Sequence, residues 1–297
     1  MGSHSSKKVL VTGANGFTGY HLVRALHFRG YEVVEVVNSA SNKNHVCADI
    51  RNKETIQALL AKHSPEYVVH LAAISFVGHK DNLAFYDINV LGTQNLLDAI
   101  LDSGIPRPRV LIASSANVYG ALEKELILES DICKPINHYA ISKLAMEEIV
   151  TTYFNKLDIL ITRPFNYTGV NQAIHFLVPK IVDHFKRHKS IIELGNIDVA
   201  RDYSSVDFVV EAYIRLLESN VSSEVINVCS GHLTTLKQII EMMQQISGHS
   251  IEVRVNPDFV RENEIKVMSG SNDKLFQTIG NITIDPFRVV LNTMYSR

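Results

Sequence analysis

The stretch TGANGFTG, residues 12–19, stands between a short apolar run and an amphipathic pattern. Residues 8–12 are rich in β-branched side chains and predict a strand, whereas the apolar spacing of residues 17–29 predicts a helix. Glycines at every third position let the backbone turn tightly and come close to a pyrophosphate, and the helix that follows offers free N–H groups and its positive dipole end. Because the turn lies between a strand and a helix, we predict a dinucleotide-binding turn rather than a tight turn without a ligand.

The alternation of strand and helix continues to residue 163. The predicted strands are continuously apolar, as expected for a parallel sheet that is buried on both faces and built with right-handed crossovers. We therefore predict the α/β class, with a doubly wound, Rossmann-like parallel sheet. The further strands are predicted at 31–37, 67–71, 109–113 and 159–163, and the helices between them at 53–63, 84–101 and 139–154.

Beyond residue 163 the pattern loosens, although no linker or repeat marks a boundary. We predict a dinucleotide-binding domain over 1–165 and a smaller, interleaved C-terminal lobe over 166–297 that binds the substrate. Residues 204–230 are expected to return to the Rossmann layer, and short elements are expected to complete the chain. In this half we predict helices at 176–186, 206–217 and 236–247 and strands at 191–194 and 225–229.

The charge and the cysteine content argue against several classes of protein. Lys and Arg number 29 and Asp and Glu number 31, so the net charge of −2 speaks against nucleic acid as the main partner. Cys47, Cys133 and Cys229 are far apart, which fits a reduced, cytoplasmic protein without a disulfide framework or a cysteine-rich metal site. No apolar run is long enough to cross a membrane, so we expect no membrane partner.

Five motifs follow one another along the chain. They are GxxGxxG at 13–19, HLAA at 70–73, NVxGTxNLL at 89–97, SSxxVYG at 114–120 and YAxSK at 139–143. In this order the set resembles the extended short-chain dehydrogenase/reductase family, which contains sugar-nucleotide epimerases, dehydratases and reductases. The resemblance implies a nicotinamide cofactor, a nucleotide-sugar substrate and a homodimer formed through the helices predicted at 84–101 and 139–154.

The last two motifs carry the predicted catalytic residues. Tyr139 and Lys143 are four residues apart and therefore share one helix face. A lysine ammonium beside a phenol favours the phenolate, which makes Tyr139 a competent general acid and base for interconverting an alcohol and a ketone. Ser115, four residues before Tyr119, is expected to donate a hydrogen bond to the substrate oxygen, and Lys143 is also expected to hold the nicotinamide ribose.

The end of the second strand bears on the choice of cofactor. NAD-selective sites place an acidic residue there, but this strand ends in Val37, Asn38 and Ser39, and Glu35 comes two residues early. We therefore favour NADP(H), with Asn38 and Ser39 near the 2′-phosphate, and NAD(H) stays possible. Asp49, with Ile50 beside it, either contacts adenine or caps the next helix. The other predicted cofactor residues are Gly13, Asn15, Gly16, Phe17, Gly19, Leu71, Ala72, Ala73, Asn89, Tyr139, Lys143, Arg163 and Pro164.

The substrate class is predicted from the second half of the chain. The stretches RPFNYTG at 163–169 and RDY at 201–203 look like those of enzymes that act on GDP-mannose and its 4-keto-6-deoxy product. The resemblance places Arg201 and Arg261 on a diphosphate and Glu264 on the ribose of the nucleotide, and charged groups of these kinds suit those partners. The full set of predicted substrate residues is Ser75, Ser115, Asn117, Asn166, Val178, Lys180, Arg201, Arg261 and Glu264.

The residues after Ser115 narrow the reaction. Dehydratases of the family carry an acidic pair there, whereas this chain has Ala116 and Asn117, which cannot transfer a proton. His138 and His175 are interpreted as solvated loop histidines. We therefore predict an NAD(P)H-dependent reductase of a GDP-linked 4-keto-6-deoxy sugar that forms GDP-rhamnose or its 4-epimer. A nucleotide-sugar 4-epimerase with tightly bound NAD and a non-catalytic NADP(H)-sensing regulator remain alternatives.

Overall fold

A computed structural model describes residues 7–39, 42–122, 124–260 and 265–297. The strands, in chain order, are β1 (Lys8–Thr12), β2 (Glu32–Val37), β3 (His45–Cys47), β4 (Tyr67–His70), β5 (Arg109–Ala113), β6 (Ile159–Pro164), β7 (Asn166–Thr168), β8 (Ile191–Leu194), β9 (Ala200–Ser205), β10 (Glu224–Val228), β11 (Leu233–Thr235), β12 (Glu252–Val255) and β13 (Val267–Met268). The α-helices are α1 (Phe17–Phe28), α2 (Lys53–His63), α3 (Asn82–Tyr86), α4 (Gly92–Asp102), α5 (His138–Thr151), α6 (Leu177–Lys186), α7 (Val206–Glu218), α8 (Leu236–Ser247), α9 (Asp273–Ile279) and α10 (Phe287–Ser296).

The main sheet has seven strands in the spatial order β10-β6-β5-β4-β1-β2-β3. The pairs with a defined register are parallel; Leu10, for example, lies opposite Val34 on one side and Val68 on the other. The order reverses its direction between β1 and β4, which is the hallmark of a doubly wound sheet. The predicted α/β class with a Rossmann-like parallel sheet is therefore confirmed, although the short edge strand β3 was missed.

The apolar strands are buried because helices cover the sheet. One core cluster joins side chains of the sheet to the inner faces of α2, α4 and α5. Burial of such aliphatic side chains contributes roughly 1.5–3 kcal/mol each relative to exposure. The buried side chains of this cluster include Leu10, Val68, Val110, Ile112, Ile56, Leu60, Leu96, Leu97 and Met146.

The prediction of a single regular helix at 84–101 is wrong in one detail. A π-helical turn, Asp87–Leu91, separates α3 from α4 within a continuous helical segment. The extra residue per turn cannot be seen in the apolar spacing, which is why periodicity alone predicted a regular helix. The turn holds Asn89 fully buried, and its side chain binds the backbone of Ile74. A π turn of this kind is often found at functional sites.

The chain divides into two compact units. The first contains the described residues up to Val118 together with Pro135–Arg163 and Val210–Ile226. The second contains Tyr119–Lys134, Pro164–Val209 and the described residues after Ile226, within the limits stated above. In the second unit β9 pairs with β7, β11 and β13, and β12 pairs with β8.

The second unit has its own core, formed mainly by α6, α8 and α10. Helix α10 was not predicted, because only short elements were expected at the end of the chain. Its Val290, Leu291 and Met294 are buried in this core, so the helix is stabilised by packing and not by propensity alone. Within the described ranges, no helix has the length and apolar character needed to cross a membrane.

Candidate active site

A cavity of about 290 Å³ opens at the carboxyl ends of β1, β2 and β4 in the first unit. Ligands of doubly wound proteins bind at this edge of the sheet. The lining includes most of the residues predicted to contact a cofactor, namely Gly13, Asn15, Gly16, Asn38, Asp49, Ile50, Leu71, Ala72 and Ala73. The prediction missed Arg51 and the apolar part of the wall, which is formed by Val36, Val37, Ala48, Ile74 and Ile88.

The glycine turn is packed so closely that side chains would not fit. Gly13 has a φ of +69°, and a Cβ placed on it would stand 2.8 Å from the Ala72 nitrogen. A Cβ on Gly19 would stand only 2.2 Å from the Gly13 carbonyl oxygen, so glycine is required where α1 meets the turn. The turn thus brings bare backbone to the cavity wall, which fits the pyrophosphate of a dinucleotide.

Replacing Gly13 with Ala is expected to weaken cofactor binding at least tenfold, because the new Cβ must displace the backbone at Ala72. The measurement is the dissociation constant of NADPH from fluorescence quenching. Gly104→Ala is a matched control: Gly104 also has a φ of +69°, but nothing lies within 4 Å of its Cβ position. Both variants carry the same backbone strain, so equal loss of affinity in the two would contradict the assignment of the turn.

The adenosine end of the cavity is formed by the residues that follow β2 and β3. Asn38 lines the cavity, and the carbonyl of Ser39 accepts a hydrogen bond of 3.3 Å from the Asn15 side chain. The Glu35 carboxylate instead lies 3.3 Å from His45 and 3.6 Å from His27. Glu35 is not among the residues that line the cavity, in agreement with its position two residues before the end of the strand.

One of the two alternatives for Asp49 is wrong. Helix α2 is capped by Asn52, whose side chain accepts a hydrogen bond of 2.8 Å from the backbone of Thr55. Asp49 instead lines the cavity and pairs with Arg51 at 2.6 Å, and this hydrogen bond lowers the pKa of the Asp49 carboxyl. The Arg51 guanidinium also reaches Asp87 at 3.2 Å. Arg51 therefore lines the cavity as part of a cluster with two carboxylates, and the residue type at the end of β2 gave no indication of this cluster.

Two of the predicted catalytic residues, Ser115 and Lys143, lie at the carboxyl end of β5, and Tyr139 lies one turn before Lys143 on α5. Lys143 on α5 is buried, and its ammonium donates a hydrogen bond of 2.7 Å to the carbonyl of Ala113, the last residue of β5. Burial lowers the pKa of Lys143 to about 8, and the nearby Glu147 carboxylate partly opposes the shift. Lys143 therefore remains mostly cationic at neutral pH. Tyr139, one turn earlier on α5, is buried beside the ring of Phe85.

Ser115 follows β5 and is oriented by its neighbour. The backbone N–H and the side-chain amide of Asn117 both donate to the Ser115 hydroxyl oxygen, each at 3.2 Å. These two bonds occupy the acceptor sites of the oxygen, so the hydroxyl hydrogen is left to be donated. The predicted contact of Asn117 with the substrate stays a prediction, and the structure adds the two hydrogen bonds from Asn117 to Ser115.

The remaining predicted cofactor residues do not line the cavity, and one of them, Arg163, has its guanidinium bound to another side chain. Its guanidinium makes a buried, bidentate pair with Glu147 on α5, with distances of 3.0 Å from Nε to Oε1 and 2.6 Å from Nη2 to Oε2. Both side chains are almost completely buried. The pair lies one turn beyond Lys143 and ties β6 to the catalytic helix. The other residues outside the lining are Phe17, Gly19, Ser39, Asn89, Tyr139, Lys143 and Pro164.

The predicted substrate residues are divided between the two units. Ser75 is exposed after β4, whereas Asn166 opens β7 in the second unit. The Val178 side chain is buried in the core of the second unit, so only its backbone is available to a ligand. Arg261 and Glu264 lie outside the described residues.

Two cations of the second unit are held by backbone carbonyls. Lys180 donates to the Glu193 carbonyl at 2.7 Å and lies 4.6 Å from the centre of the Phe259 ring. Arg201 donates to the carbonyls of Ala200 and Lys266, both at 3.0 Å. These contacts fix the two side chains before any ligand binds.

The two histidines interpreted as loop residues differ in their surroundings. His138 is the first residue of α5, and its Nδ1 lies 3.0 Å from the Tyr86 hydroxyl, so the loop assignment is wrong for this residue. His175 is exposed beside the ring of Phe176. In the described ranges no three His, Cys, Asp or Glu side chains are grouped so that they could hold a metal ion.

Comparisons with known proteins agree with this geometry. The model of the NAD dependent epimerase/dehydratase family matches residues 9–229. GDP-6-deoxy-D-talose 4-dehydrogenase from Aggregatibacter actinomycetemcomitans is 38% identical over 289 residues, covering 97% of both chains. GDP-6-deoxy-D-mannose reductase from Pseudomonas aeruginosa is 31% identical over 310 residues, covering 98% of both. The structure of RMD from Pseudomonas aeruginosa complexed with NADPH superimposes with a TM-score of 0.85 at 30% identity, covering 98% of this chain and 97% of that one.

Proposed function

Because the chain belongs to the NAD-dependent epimerase/dehydratase family, we propose that it interconverts the C4 ketone and C4 alcohol of a GDP-linked 6-deoxy sugar. In the reducing direction the substrate is GDP-4-keto-6-deoxy-mannose, and the product is GDP-rhamnose or its 4-epimer. One observation carries the proposal: the Lys143 ammonium is bound to the Ala113 carbonyl, two residues before Ser115, and the Asn117 amide binds the Ser115 hydroxyl where dehydratases carry a proton-transfer group. The names of the two relatives, which specify GDP-6-deoxy sugars, support the substrate class.

The residues of the chain perform the acid–base part of this reaction. A nicotinamide cofactor supplies the hydride when it is bound. Tyr139 protonates the alkoxide that develops at C4, and the Lys143 ammonium, held by the Ala113 carbonyl, favours the phenolate that is left. Ser115 donates its hydroxyl hydrogen to the same substrate oxygen, because Asn117 occupies its acceptor sites.

NADP(H) is the cofactor that we propose, with NAD(H) as the alternative. Asn38 at the end of β2 carries no charge that would repel a 2′-phosphate, and Glu35 is paired with histidines away from the cavity lining. Arg51 lines the same end of the cavity, where it is paired with Asp49 and Asp87 and would have to exchange a carboxylate for the phosphate. The NADPH complex of the structural relative supports this choice.

The proposal includes a homodimer of a cytoplasmic enzyme. Three large apolar side chains are exposed on the helices that the family resemblance assigns to the dimer, namely Leu83 and Leu91 on the α3–α4 segment and Ile141 on α5. Covering such side chains by a second copy removes apolar surface from water. We also propose that the residues up to 165 chiefly bind the cofactor and that the residues from 166 onward chiefly bind the substrate.

The test is an assay of the purified chain with NADPH and GDP-4-keto-6-deoxy-mannose. We expect one NADPH to be oxidised for each ketone reduced, and GDP to bind more tightly than UDP in calorimetry. Product stereochemistry is read from the proton couplings at C4. Interconversion of two nucleotide sugars without net NADPH oxidation would show a 4-epimerase instead. NADPH binding without turnover of any nucleotide sugar would show a non-catalytic sensor.

A further inference from the structure

A chain of buried hydrogen bonds runs through the first unit from the glycine turn to the helix of Tyr139. It passes from Thr12, the last residue of β1, through His70 at the end of β4, to Thr93 on α4. It continues through Asn89 in the π turn to Ser142 on α5. Each of these five side chains is at most 3% exposed. The mechanism above uses none of them directly.

The direction of each bond in this chain is determined by its partners. The backbone carbonyl of Asn89 can only accept a hydrogen bond, so the Thr93 hydroxyl donates to it at 2.7 Å. The Thr93 oxygen must then accept from Nε2–H of His70, at 3.0 Å. His70 is consequently the neutral tautomer with its proton on Nε2, and its Nδ1 accepts from the Thr12 hydroxyl at 2.7 Å.

At its first end, the chain fixes the wall of the cofactor cavity. The Thr12 oxygen accepts hydrogen bonds from the backbone N–H groups of Leu71 and Ala72, both at 3.2 Å. Thr12, Leu71 and Ala72 all line the cavity, and Thr12 immediately precedes Gly13. The position of the His70 ring therefore determines how β1 and the segment after β4 meet beneath the cofactor.

At its other end, the chain reaches the backbone of the catalytic tyrosine. The Asn89 amide exchanges two hydrogen bonds with Ile74, at 2.9 and 3.2 Å, and donates a third to the Ser142 hydroxyl at 3.0 Å. Ser142 in turn donates to the Tyr139 carbonyl at 2.7 Å. The first turn of α5, which carries Tyr139, is therefore held to the same chain that begins beneath the glycine turn.

We propose that His70 is a positioning residue whose Nε2–H tautomer sets the distance between the cofactor turn and the helix that carries Tyr139. A protonated ring could not do this, because its Nδ1–H would point at the Thr12 oxygen. That oxygen already accepts two backbone N–H groups, and the Thr12 hydroxyl hydrogen would no longer have Nδ1 as its acceptor. The inference about turnover rests on the proposed function, whereas the inference about the tautomer and about cofactor binding does not.

The electrostatics of the site agree with a neutral ring. Burial lowers the pKa of His70 to about 3, and the Lys143 ammonium lowers it further in the same direction. His70 therefore stays uncharged across the physiological range. Its tautomer, and not its titration, is the property on which positioning depends.

Two substitutions at His70 test its two hydrogen bonds separately, because each keeps one bond and removes the other. In His70→Asn, the amide oxygen stands near the place of Nδ1 and keeps an acceptor for Thr12, but the bond to Thr93 is lost. In His70→Gln, the amide nitrogen stands near the place of Nε2 and keeps a donor for Thr93, but the bond to Thr12 is lost. We expect His70→Asn to lower kcat about tenfold with little change in NADPH affinity, and His70→Gln to weaken NADPH affinity about tenfold with little change in kcat.

The readouts are the NADPH dissociation constant, kcat at saturating cofactor, and the ¹⁵N chemical shifts of the His70 ring. Thr162→Val is the matched control. Thr162 is a buried threonine whose hydroxyl donates to the Ile112 carbonyl and takes no part in the hydrogen bonds from Thr12 to Ser142. If the His70 substitutions only destabilised the fold, they would lower kcat by lowering the fraction of active protein. The NADPH dissociation constant would then be unchanged in both variants.

Several outcomes would overturn the proposal. One is a ¹⁵N spectrum that shows the Nδ1–H tautomer or a charged ring at neutral pH. Another is that His70→Asn and His70→Gln change the same parameter by the same factor, or change nothing beyond what Thr162→Val changes. If the chain turns over no 4-keto sugar, the proposed function fails, but the ¹⁵N spectrum and the NADPH affinity of His70→Gln still decide whether His70 positions the cofactor turn.

Discussion

Replacing Tyr139 with Phe is expected to lower kcat by about 10²–10⁴-fold, the usual contribution of a positioned general acid. In the proposed reaction the phenol hydroxyl protonates the C4 alkoxide, and the phenylalanine ring keeps the contact with Phe85. The dissociation constant of NADPH should change by about tenfold at most, because the substitution removes no more than one hydrogen bond to the cofactor. The measurement is single-turnover NADPH oxidation with the 4-keto substrate.

Tyr153→Phe is the matched control for this experiment. Tyr153 also belongs to the first unit and is buried, but its hydroxyl binds Asp98 at 2.7 Å and has no place in the site. We expect its kcat to remain at the wild-type value. A Tyr139→Phe variant that retained a tenth or more of the wild-type rate would refute the role of Tyr139 as the acid.

Replacing Glu147 with Gln is expected to destabilise the protein by about 3–5 kcal/mol, the range for breaking one partner of a buried ion pair. The Arg163 guanidinium would then lose its bidentate carboxylate partner, at a position where it is only 8% exposed. The free energy of unfolding in urea measures the effect. The double variant Glu147→Gln with Arg163→Met should recover part of the loss, because the buried guanidinium charge is removed together with the carboxylate.

An exposed pair in the second unit provides the contrast. Arg254 and Glu252 form a similar contact at 2.8 Å from Nε to Oε1, but both side chains are more than half exposed. Water and salt screen such a pair, so Glu252→Gln should leave the free energy of unfolding unchanged within error. If both glutamate variants lost the same stability, the loss at Glu147 could not be ascribed to burial of the Arg163 charge.

The parts of the fold that sequence predicted well are those governed by short-range rules. The apolar runs at β1, β4, β5 and β6 follow a clear pattern because both faces of a parallel sheet are covered. The glycine turn was predictable because its backbone approach excludes any Cβ at Gly13 and Gly19. Tyr139 and Lys143 share a face of α5 for the simple reason that they are four residues apart.

The parts that escaped prediction depend on partners that are distant in sequence. Arg163 matches a cofactor-contacting position of the family, yet its guanidinium is bound to Glu147 on α5. Asn89 points inward because a π turn interrupts the helix, and this turn is stabilised by contacts with Ile74 and Ser142. A residue's type and spacing do not record which of several possible partners packing will bring within hydrogen-bonding distance.

The sequence by itself determined that this chain folds as a doubly wound α/β protein and that it belongs to the epimerase/dehydratase family. The fold class follows from glycine spacing, strand composition and helical periodicity, which act over a few residues, whereas the family follows from the resemblance of five ordered motifs. Only the tertiary structure decided that Lys143 donates to the Ala113 carbonyl, that Asn117 donates to the Ser115 hydroxyl oxygen, and that the His70 ring lies between Thr12 and Thr93. The reason is physical: burial leaves each polar group only the partners that other segments bring to it, and those partners decide its orientation and its charge.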